Sequence, residues 1–536
     1  QTDTQVWAGA IVELYSENVK IFGSIMDTLD YIVSLNDNII CYFHNLKFDG
    51  EFWLYYLISV LKLKQAYDEY GENNIEWRKD KFMDNNTFKY MISEKGQFYS
   101  LTLKIKGKYI EFRDSYKILP FNLKRIGQAF KTKHQKLDME YKGFRYPNCP
   151  RTEDEDKYIA NDVLVIKEAM EIMLEQGHDK PTIGSCCLEE FKKTYHKDDY
   201  NTFFPPLNTE MCEELNISFD EYVRNSYKGG WCYVVEGEES KLFKHGLTAD
   251  VNSLYPSMMH SMSGNRYPVG SPHFWQGNYI HEKAIGKNKY FFIRIKTRFY
   301  IRENYLPFIQ IKQSRLYKGN ECLKSSDIYN KNDGKYYDKY YDKDGNLCDT
   351  RVELTLTVTD YELMKEHYEL VDFEILDGVW FYSEIGLFDT YINKYKEIKQ
   401  NSVGALRQQA KLFLNNLYGK FASSDDSSFK VAFLKPNGVI GYKNIEAHEK
   451  NVGYIPIGSA ITSYARNFTI RTAQKNFHGV GTKGFKYADT DSIHCDLNVD
   501  ELIDVPLHKT EFCHWSLECG WEHAIFTRQK TYIEYV

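Results

Sequence analysis

Two aspartates one residue apart, inside a run of β-forming residues, constrain this chain more than any other feature. The run is Tyr487-Ala-Asp-Thr-Asp-Ser-Ile493. Alternate side chains of an extended chain share a face, so we expect Asp489 and Asp491 to project together from the tip of a hairpin. Two carboxylates held that close repel each other unless a cation pairs them. The run therefore predicts a divalent-cation site, with an exposed acidic turn as the alternative.

A further candidate carboxylate lies in the segment Asp250-Val-Asn-Ser-Leu-Tyr-Pro256. Pro256 suits the first turn of a helix, which places Asp250 at the end of a strand just before a turn. There its carboxylate and the carbonyl of Val251 can point the same way, and Mg²⁺ prefers such oxygen ligands. The alternative is an aspartate that forms or caps a turn.

The segment between residues 407 and 419 has a helical pattern with a cationic face. At about 100° per residue, four polar side chains lie within about 80° of one another: Arg407, Lys411, Asn415 and Tyr418. An apolar stripe lies elsewhere on the helix, at Leu406, Ala410, Phe413 and Leu417, and Gly419 is a plausible helix stop. The cationic face is suited to a nucleoside triphosphate, and an ordinary amphipathic helix is the alternative.

In this order, the three segments resemble motifs A, B and C of the family B DNA polymerases. The matching patterns are D-x-x-S-L-Y-P, K-x-x-x-N-x-x-Y-G and Y-x-D-T-D-S. The resemblance covers nearly the whole chain and is to the protein-primed subgroup of phages and linear plasmids. It implies a template-directed, strand-displacing DNA polymerase that uses two Mg²⁺ ions, with Mn²⁺ as a possible substitute.

The resemblance also assigns roles to single residues. The catalytic metals fall to Asp250, Asp491 and the Val251 carbonyl, with Asp489 in support and Lys411 as a catalytic cation. The residues implied for the incoming nucleotide are Tyr255, Lys399, Arg407, Lys411, Asn415 and Tyr418. The residues implied for DNA contacts belong to the elements Y-x-G-G, T-x-x-A-R and K-x-Y, and they are Tyr227, Gly229, Gly230, Thr462, Arg466, Lys530 and Tyr532.

The first part of the chain resembles the 3′→5′ exonuclease domain of the same family. The matching residues are Asp49, Asp162, Tyr158, Lys136, Asn45, Phe48 and Ser115. The family's first exonuclease motif, an Asp-x-Glu pair, should precede Gln1 and is not in the sequence, so we expect exonuclease activity to be crippled.

The fold implied is a multidomain α/β and α+β chain: an RNase H-like exonuclease domain followed by a right-hand polymerase with palm, fingers and two insertions. We expect the thumb to be largely missing, because the family continues beyond the K-x-Y element. The expected ranges are 1–180 (exonuclease-like), 181–265 (palm with motif A), 266–386 (first insertion, terminal-protein or DNA-contacting), 387–423 (fingers with motif B), 424–455 (second insertion, strand displacement and processivity) and 456–536 (palm with motif C and K-x-Y).

Overall charge and composition limit the kinds of partner that the chain can have. The formal charge is −7, which does not suggest a nucleic-acid binder, but binding depends on local charge, and residues 312–324 and 391–420 are basic. Eleven scattered cysteines indicate reduced thiols, and no apolar run reaches the ~18 residues of a membrane span. The expected partners are primer–template DNA, dNTPs and a terminal protein, for a monomer in the cytoplasm of a bacterial host.

Three alternatives stay open at this point. A reverse transcriptase or RNA polymerase shares paired aspartates, but the S-L-Y-P segment and the exonuclease-like front argue against it. A non-catalytic DNA-binding replication protein would have lost its carboxylates in motifs A and C. A nuclease acting alone is disfavoured by the missing acidic pair.

Overall fold

The computed structural model describes residues 4–71, 75–140, 143–311, 322–330, 332–424, 428–446 and 452–536. Within them the helices are α1 (Ile25–Ser34), α2 (Leu46–Tyr55), α3 (Leu123–Phe130), α4 (Glu153–Glu175), α5 (Ile183–Lys192), α6 (Lys197–Phe203), α7 (Phe219–Arg224), α8 (Leu254–Met259), α9 (Val358–His367), α10 (Asp389–Asn401), α11 (Ala405–Phe421) and α12 (Ile455–Lys475).

The strands in the same residues run from β1 to β29. Those before residue 250 are β1 (Gly9–Ile11), β2 (Lys20–Phe22), β3 (Ile39–Phe43), β4 (Lys64–Gln65), β5 (Tyr67–Glu69), β6 (Ile75–Trp77), β7 (Thr87–Ile92), β8 (Phe98–Ile105), β9 (Lys108–Asp114), β10 (Met211–Cys212), β11 (Ile217–Ser218), β12 (Cys232–Val234), β13 (Leu242–Phe243) and β14 (Gly246–Val251). Those after it are β15 (Tyr267–Gln276), β16 (Lys289–Ile301), β17 (Ile328–Asn330), β18 (Lys335–Tyr337), β19 (Tyr340–Tyr341), β20 (Leu347–Cys348), β21 (Val352–Thr357), β22 (Tyr368–Glu384), β23 (Ser428–Leu434), β24 (Ile440–Glu446), β25 (Phe485–Asp489), β26 (Ser492–Cys495), β27 (Trp515–Trp521), β28 (His523–Arg528) and β29 (Thr531–Tyr535).

The chain divides into two compact units that do not follow the sequence in one cut. The first unit comprises Gln1–Glu190, Tyr395–Asn416 and Ser424–Asn451, and the second comprises Phe191–Lys394, Leu417–Ser423 and Val452–Val536. Helices α10 and α11 each contribute to both units. The expected fingers range, 387–423, is therefore shared between the units.

The first unit contains a mixed five-stranded sheet of order β3-β9-β8-β7-β4. β3 and β9 are parallel, whereas β8 pairs antiparallel with β7 and β9. Apolar side chains of β7, β8 and β9 form a core with α1 and α2, which includes Leu54, Phe88 and Phe112. Helix α4 begins with a capping box in which Thr152 and Glu155 satisfy each other's backbone N–H groups.

The range predicted as the second insertion supplies the antiparallel hairpin β23–β24 of the first unit. The hairpin packs against the exonuclease-like part of that unit: Ala432 N donates to Tyr90 Oη at 2.6 Å, and Gln65 Nε2 donates to the Ala432 carbonyl at 2.8 Å. Residues 425–427 and 447–451 of this range lie outside the described residues.

The second unit is built on a five-stranded antiparallel sheet of order β12-β25-β26-β14-β27. β14 lies inside this sheet and pairs with β26 on one side and β27 on the other. Helix α12 packs beside it and is almost wholly buried, with Ile457, Ile461 and Ala465 at 1% exposure or less. Strand β14 is thus held on both edges and supported by a rigid helix.

The range predicted as the first insertion forms a four-stranded sheet of order β15-β22-β16-β21. Its apolar residues share one core with the β14 sheet, for example Phe291 and Ile293 with Ala249 and Ile493. The same range contains two short antiparallel pairs, β17–β18 and β19–β20, of which β18 and β19 are exposed. Most of the basic stretch 312–324 lies outside the described residues.

Helix α11 corrects two expectations. It continues through Gly419 and ends at Phe421, because burial of Phe421 among Phe191, Phe204 and Phe388 outweighs the cost of about 1 kcal/mol that glycine adds to a helix. Leu406 is 45% exposed and does not belong to the apolar stripe, which does include the buried Ala410, Phe413 and Leu417.

Within the described residues, none of the helices combines the length and apolar character that crossing a membrane requires.

Candidate polymerase active site

Asp250 and Asp491 lie on neighbouring parts of the β14 sheet. Asp250 is the penultimate residue of β14, as predicted, and pairs with Ser492 of β26 and Ser516 of β27. The Val251 N–H donates to the Asp491 carbonyl at 2.8 Å. Burial, followed by the negative charges of Asp491 and Glu518, raises the pKa of Asp250 to about 7. The two carboxylates therefore repel each other in a partly desolvated site.

The two aspartates of motif C do not lie in one continuous extended strand, as was expected from the alternation of side chains. Asp489 ends β25, whereas Thr490 and Asp491 form the turn before β26, with Thr490 in the left-handed region at φ 65°. The turn is fixed by the Thr490 N–H, which donates to the Trp231 carbonyl at 2.7 Å, and by Thr469 Oγ1, which donates to the Thr490 carbonyl at 3.0 Å. The turn, and not strand periodicity, sets the directions of the two aspartates.

The K-x-Y element lies beside motif C. Lys530 forms an ion pair with Asp489, and its backbone N–H donates to Tyr487 Oη at 2.9 Å. The ring of Tyr532 is 5.1 Å from that of Tyr487 and 40% of the residue is exposed. The element thus presents a cation and an aromatic ring at the edge of the site.

The Y-x-G-G element packs directly on the motif C turn. A Cβ atom on Gly230 would lie 2.5 Å from Thr490 Cγ2, whereas a Cβ on Gly229 would meet nothing within 4 Å. Gly230 is therefore required by the close approach of the two segments.

The T-x-x-A-R element requires a correction. Arg466 is 5% exposed; it pairs with the buried Asp360 at 2.5 Å and donates to the carbonyls of Lys228 and Gly229. Thr462 is 1% exposed and donates within its own helix. Neither side chain is free to contact DNA in this structure, because both are buried and engaged. Arg466 instead fixes the loop that carries Y-x-G-G.

The rings of Tyr255 and Tyr418 are in tilted contact in the second unit. Their ring centroids are 4.3 Å apart at an interplanar angle of 42°. Burial raises the pKa of both phenols, and the charge of Tyr418 adds to the rise for Tyr255. The phenols are therefore neutral and offer an apolar surface at the start of α8 and the end of α11.

The cations of α10 and α11 form a cluster in the first unit. Arg407 Nη1 donates to the Lys399 carbonyl at 2.5 Å. Burial, followed by the positive charges of Lys411 and Arg407, lowers the pKa of Lys399. Arg407, Lys411 and Asn415 are exposed. These like charges favour an anionic ligand.

The exonuclease-like residues of α4 form a compact group in the first unit. Lys136 Nζ donates to Asp162 Oδ2 at 2.6 Å and also to the Tyr158 hydroxyl. Asp162 Oδ1 is buried and has no hydrogen-bond partner within the described part of the chain. Burial raises the pKa of Asp162, against the lowering effect of Lys136. An unsatisfied carboxylate oxygen of this kind suits a cation.

The other exonuclease-like residues lie at the start of α2. Burial raises the pKa of Asp49 to about 6, with a smaller contribution from the charge of Asp114. Asn45 is exposed with φ 70°, and Phe48 is 63% exposed. Ser115, which also matches the exonuclease domain, is fully buried and donates to the Phe43 carbonyl at 2.8 Å.

A family model described as DNA polymerase type B, organellar and viral, matches residues 32–157 and 151–505. The chain belongs to this family of DNA polymerases. The DNA polymerase of Bacillus phage PZA is 36% identical over 540 residues, a match that covers 99% of this chain and 84% of that relative. The DNA polymerase of Streptococcus phage Cp-1 is 29% identical over 558 residues, covering 100% of this chain and 86% of the relative.

A solved structure supports the same assignment. Phi29 DNA polymerase, complexed with primer-template DNA and incoming nucleotide substrates, matches with a TM-score of 0.83 and 34% identity, covering 99% of this polymerase and 85% of that chain. The predicted fold class and enzyme class are confirmed. The protein is a DNA-directed DNA polymerase of the phage type, and its family depends on divalent metal ions.

Glu518 is a residue of the polymerase site that sequence reasoning missed. The register between β14 and β27 shifts between Thr248 and Ala249, so Thr248 pairs with Cys519 and Ala249 with Leu517, which leaves Glu518 as the extra residue of a bulge. Its charge contributes to the raised pKa of both Asp250 and Asp491. A single glutamate in an exposed strand gives no signal in the sequence; only the bulge brings it to the site.

Proposed function

We propose that this polymerase replicates a phage or linear-plasmid genome by two-metal nucleotidyl transfer centred on Asp250 and Asp491. The single observation that carries the proposal is the hydrogen bond from the Val251 N–H to the Asp491 carbonyl at 2.8 Å, which holds the segment of Asp250 against the motif C turn. Burial, and then the charges of Asp491 and Glu518, raise the pKa of Asp250 there. A site in which several carboxylates repel each other fits divalent cations. Mg²⁺ is the expected ion because the donors are hard oxygens, including the Val251 carbonyl, and Mn²⁺ is expected to substitute.

The reaction is attack of a primer 3′ hydroxyl on the α-phosphate of a dNTP, with loss of pyrophosphate. Two bound cations would supply charge stabilisation at the attacking and leaving oxygens. Asp250 and Asp491 would hold them, and Asp489, paired with Lys530, supports the turn. Lys411, with Lys399 and Arg407, neutralises the triphosphate, and the lowered pKa of Lys399 supports this role, since a phosphate would relieve the repulsion among these cations.

Sugar and base selection fall to the aromatic pair. Tyr255 is the proposed barrier to a 2′ hydroxyl. Tyr418, whose ring centroid is 4.3 Å from that of Tyr255, is proposed to pack on the nascent base pair. Asn415 lies exposed on the same polar face as Lys411 and is proposed as a further contact to the nucleotide.

Primer–template DNA is the proposed macromolecular ligand. Tyr227 and the Gly229–Gly230 loop form one contact, and Lys530 and Tyr532 form another next to motif C. The exposed Gly229 lets a backbone approach closely, and a partly exposed aromatic ring beside a lysine suits a nucleotide. Thr462 and Arg466 are proposed to affect DNA binding indirectly, because Arg466 holds the Gly229–Gly230 loop in place.

Protein priming and strand displacement are the proposed mode of replication. A terminal protein would supply the first hydroxyl and is the expected partner of a monomeric polymerase in the cytoplasm of an infected bacterium. Similarity to phage polymerases over nearly the whole chain supports this proposal. The β23–β24 hairpin of the second insertion, packed on the exonuclease-like part of its own unit, is the proposed strand-displacement element.

A 3′→5′ exonuclease site is proposed at Asp49 and Asp162, with Tyr158 and Lys136 as their helpers and Asn45 and Phe48 as single-strand contacts. The unsatisfied Asp162 Oδ1 supports a metal there.

Primer extension with dNTPs and Mg²⁺ tests the polymerase site. Asp491→Asn should slow extension by about 10³-fold or more, which corresponds to several kcal/mol of lost transition-state stabilisation. Asp500→Asn, an exposed aspartate in the same unit, is the matched control and should behave as the parent. Equal rates for Asp491→Asn and Asp500→Asn would refute the assignment. Protein priming is tested separately, by covalent labelling of a terminal protein from the same genome with a radioactive dNTP in the absence of a DNA primer.

A further inference from the structure

A buried chain of hydrogen bonds runs along the same sheet face as Asp250. Thr248 lies opposite His494, and Asp250 lies opposite Ser492. Because alternate residues of a strand share a face, and directly paired residues share it across strands, all four side chains lie on one face. The Thr248–His494 pair therefore lies one step behind the Asp250–Ser492 pair.

The links of this chain are short. Ser492 Oγ is 3.0 Å from His494 Nε2, and His494 Nδ1 is 2.6 Å from Glu534 Oε1. Thr248 Oγ1 donates to the same Glu534 oxygen at 2.6 Å. With a carboxylate at Nδ1, that nitrogen carries a proton, so in a neutral ring Nε2 accepts from the Ser492 hydroxyl.

The chain is enclosed. The side chain of His494 is 1% exposed and that of Glu534 is 12% exposed. Three aromatic rings surround the imidazole, with centroids at 5.0 Å for Tyr487, 5.4 Å for Phe526 and 5.1 Å for Tyr532. Burial by itself raises the pKa of Glu534, but hydrogen bonds from His494 and Thr248 outweigh it and lower that pKa. Glu534 is thus a buried anion that depends on its partners.

The chain also joins two sheets. His494 belongs to β26 of the five-stranded sheet, and Glu534 belongs to β29 of the sheet β13-β28-β29, which also carries Tyr532. Displacement of β29 would therefore be transmitted to Ser492, the residue that follows Asp491.

We propose that His494 and Glu534 are positioning residues for nucleotide addition, which hold Ser492 and the motif C turn in register with the strand that carries Tyr532. The inference rests on the proposed function for the roles of Asp491 and Tyr532. It does not require either His494 or Glu534 to touch substrate.

The test compares His494→Phe with His367→Phe. Phenylalanine fills the aromatic enclosure and removes the hydrogen bonds. His367 is a matched control, because it is also buried among aromatic rings but hydrogen-bonds to the Leu306 carbonyl and takes no part in the chain of Ser492, His494 and Glu534. His494→Phe should lower kcat about tenfold, as loss of an outer partner of a metal site does, and should change the KM for dNTP less than about twofold. His367→Phe should leave both parameters near the parent values.

Variants of Glu534 provide an independent test, which remains informative if His494→Phe fails to fold. Glu534→Ala should also lower kcat about tenfold, whereas Glu534→Gln keeps an oxygen acceptor for Thr248 and His494 and should retain at least half the parent rate. The His494→Phe/Glu534→Ala double variant should be no slower than either single variant, because both break one chain. Effects that multiply, or a Glu534→Ala rate equal to that of His367→Phe, would overturn the proposal.

Mn²⁺ binding, counted by electron paramagnetic resonance of the free ion, separates this inference from the metal assignment. Asp491→Asn should lose the tight site, and His494→Phe should weaken it about tenfold. Unchanged Mn²⁺ binding in Asp491→Asn would defeat the metal assignment and leave the kcat comparison to decide the positioning role. Weakening in Asp491→Asn but not in His494→Phe would count against the positioning role alone.

Discussion

Lys530 forms an ion pair with Asp489, so the two aspartates of motif C have different environments. Asp491 has no such pair among the residues that the structure describes. Burial and then the charge of Asp489 raise its pKa, and its charge in turn raises the pKa of Asp250. Asp489 is therefore neutralised by the lysine of the K-x-Y element. Asp491 and Asp250 remain as a pair of repelling carboxylates that a metal ion would bridge.

Removal of Lys530 should move the pH dependence of primer extension. The positive charge of Lys530 lowers the pKa of Asp491, so Lys530→Met should raise that pKa further. A carboxylate must be ionised to bind a cation, so the acidic limb of the kcat profile should shift to higher pH. Lys530→Arg should keep the parent profile, and so should Lys483→Met, which removes an exposed lysine of the same unit. A Lys530→Met profile that overlays the parent would contradict the pairing.

Asp250→Asn should stabilise the metal-free polymerase at pH 8. The pKa of Asp250 is raised to about 7, whereas an unfolded aspartate titrates near about 3.9. The stability that the protonated group contributes is therefore present below about pH 4 and is lost as pH rises through about 7. Melting without divalent ions should show a Tm about 1–3 °C higher for Asp250→Asn, and the Tm increase that Mg²⁺ gives the parent should vanish. Asp500→Asn should keep that increase; its persistence in Asp250→Asn would remove Asp250 from the metal site.

Gly230→Ala should impair polymerisation, whereas Gly229→Ala should not. The added Cβ at residue 230 would lie 2.5 Å from Thr490, and the one at residue 229 has open space. Relief of the clash must displace the motif C turn, at a cost of about 1–3 kcal/mol in stability. Steady-state kcat on a primed template and urea unfolding measure the two effects. Equal behaviour of the two alanine variants would show that the turn accommodates the extra carbon.

Arg466→Met should destabilise the second unit far more than Arg471→Met. Both arginines lie on α12 and form ion pairs, but the pair with Asp360 is buried, at 5% and 4% side-chain exposure, and the pair with Glu366 is exposed, at 43% and 49%. Breaking a buried pair leaves an unpaired charge and costs about 3–5 kcal/mol, whereas an exposed pair contributes about 1 kcal/mol or less. Urea unfolding should rank the variants in that order, and Asp360→Asn combined with Arg466→Met should recover part of the loss.

Tyr255→Val should admit ribonucleotides. The tyrosine ring is packed on Tyr418 and cannot swing away freely, so it blocks the space of a 2′ hydroxyl in the proposed site. The ratio of kcat/KM for dNTP to that for rNTP should fall by about 10²-fold, or about 3 kcal/mol. Tyr255→Phe keeps the ring and should keep the ratio. Unchanged sugar discrimination in Tyr255→Val would assign that task to another residue.

The sequence predicted the elements that local patterns encode. Asp250 at a strand end and the cationic helix of residues 407–418 follow from turn residues and periodicity. Motifs A, B and C identified the family, because each combines several residue types at fixed spacing.

The remaining features depend on tertiary structure. Glu518 reaches the site through a bulge, and a shift in strand register leaves no local mark. Arg466 and Ser115 are polar residues whose partners lie far along the chain, so their burial is decided by packing. Gly419 lies inside a helix because packing in the aromatic cluster around Phe421 stabilises the helix by more than the glycine destabilises it. Thr490 has a left-handed backbone conformation, whereas the alternation of side chains had predicted an extended one.

The position of β14 between β26 and β27 governs when activity can arise during synthesis. Asp250 is made long before its partners Ser492 and Ser516, so a ribosome-bound chain that ends before β27 exposes an unpaired edge of β14. The long chain segment between β14 and its partner strands must lose conformational entropy before the strand pairing contributes any stability. Formation of this sheet is therefore expected to be a slow, late step of folding. The sheet that carries Asp250 is therefore complete only after β27 has been synthesised, and the unpaired edge of β14 is open to aggregation until then.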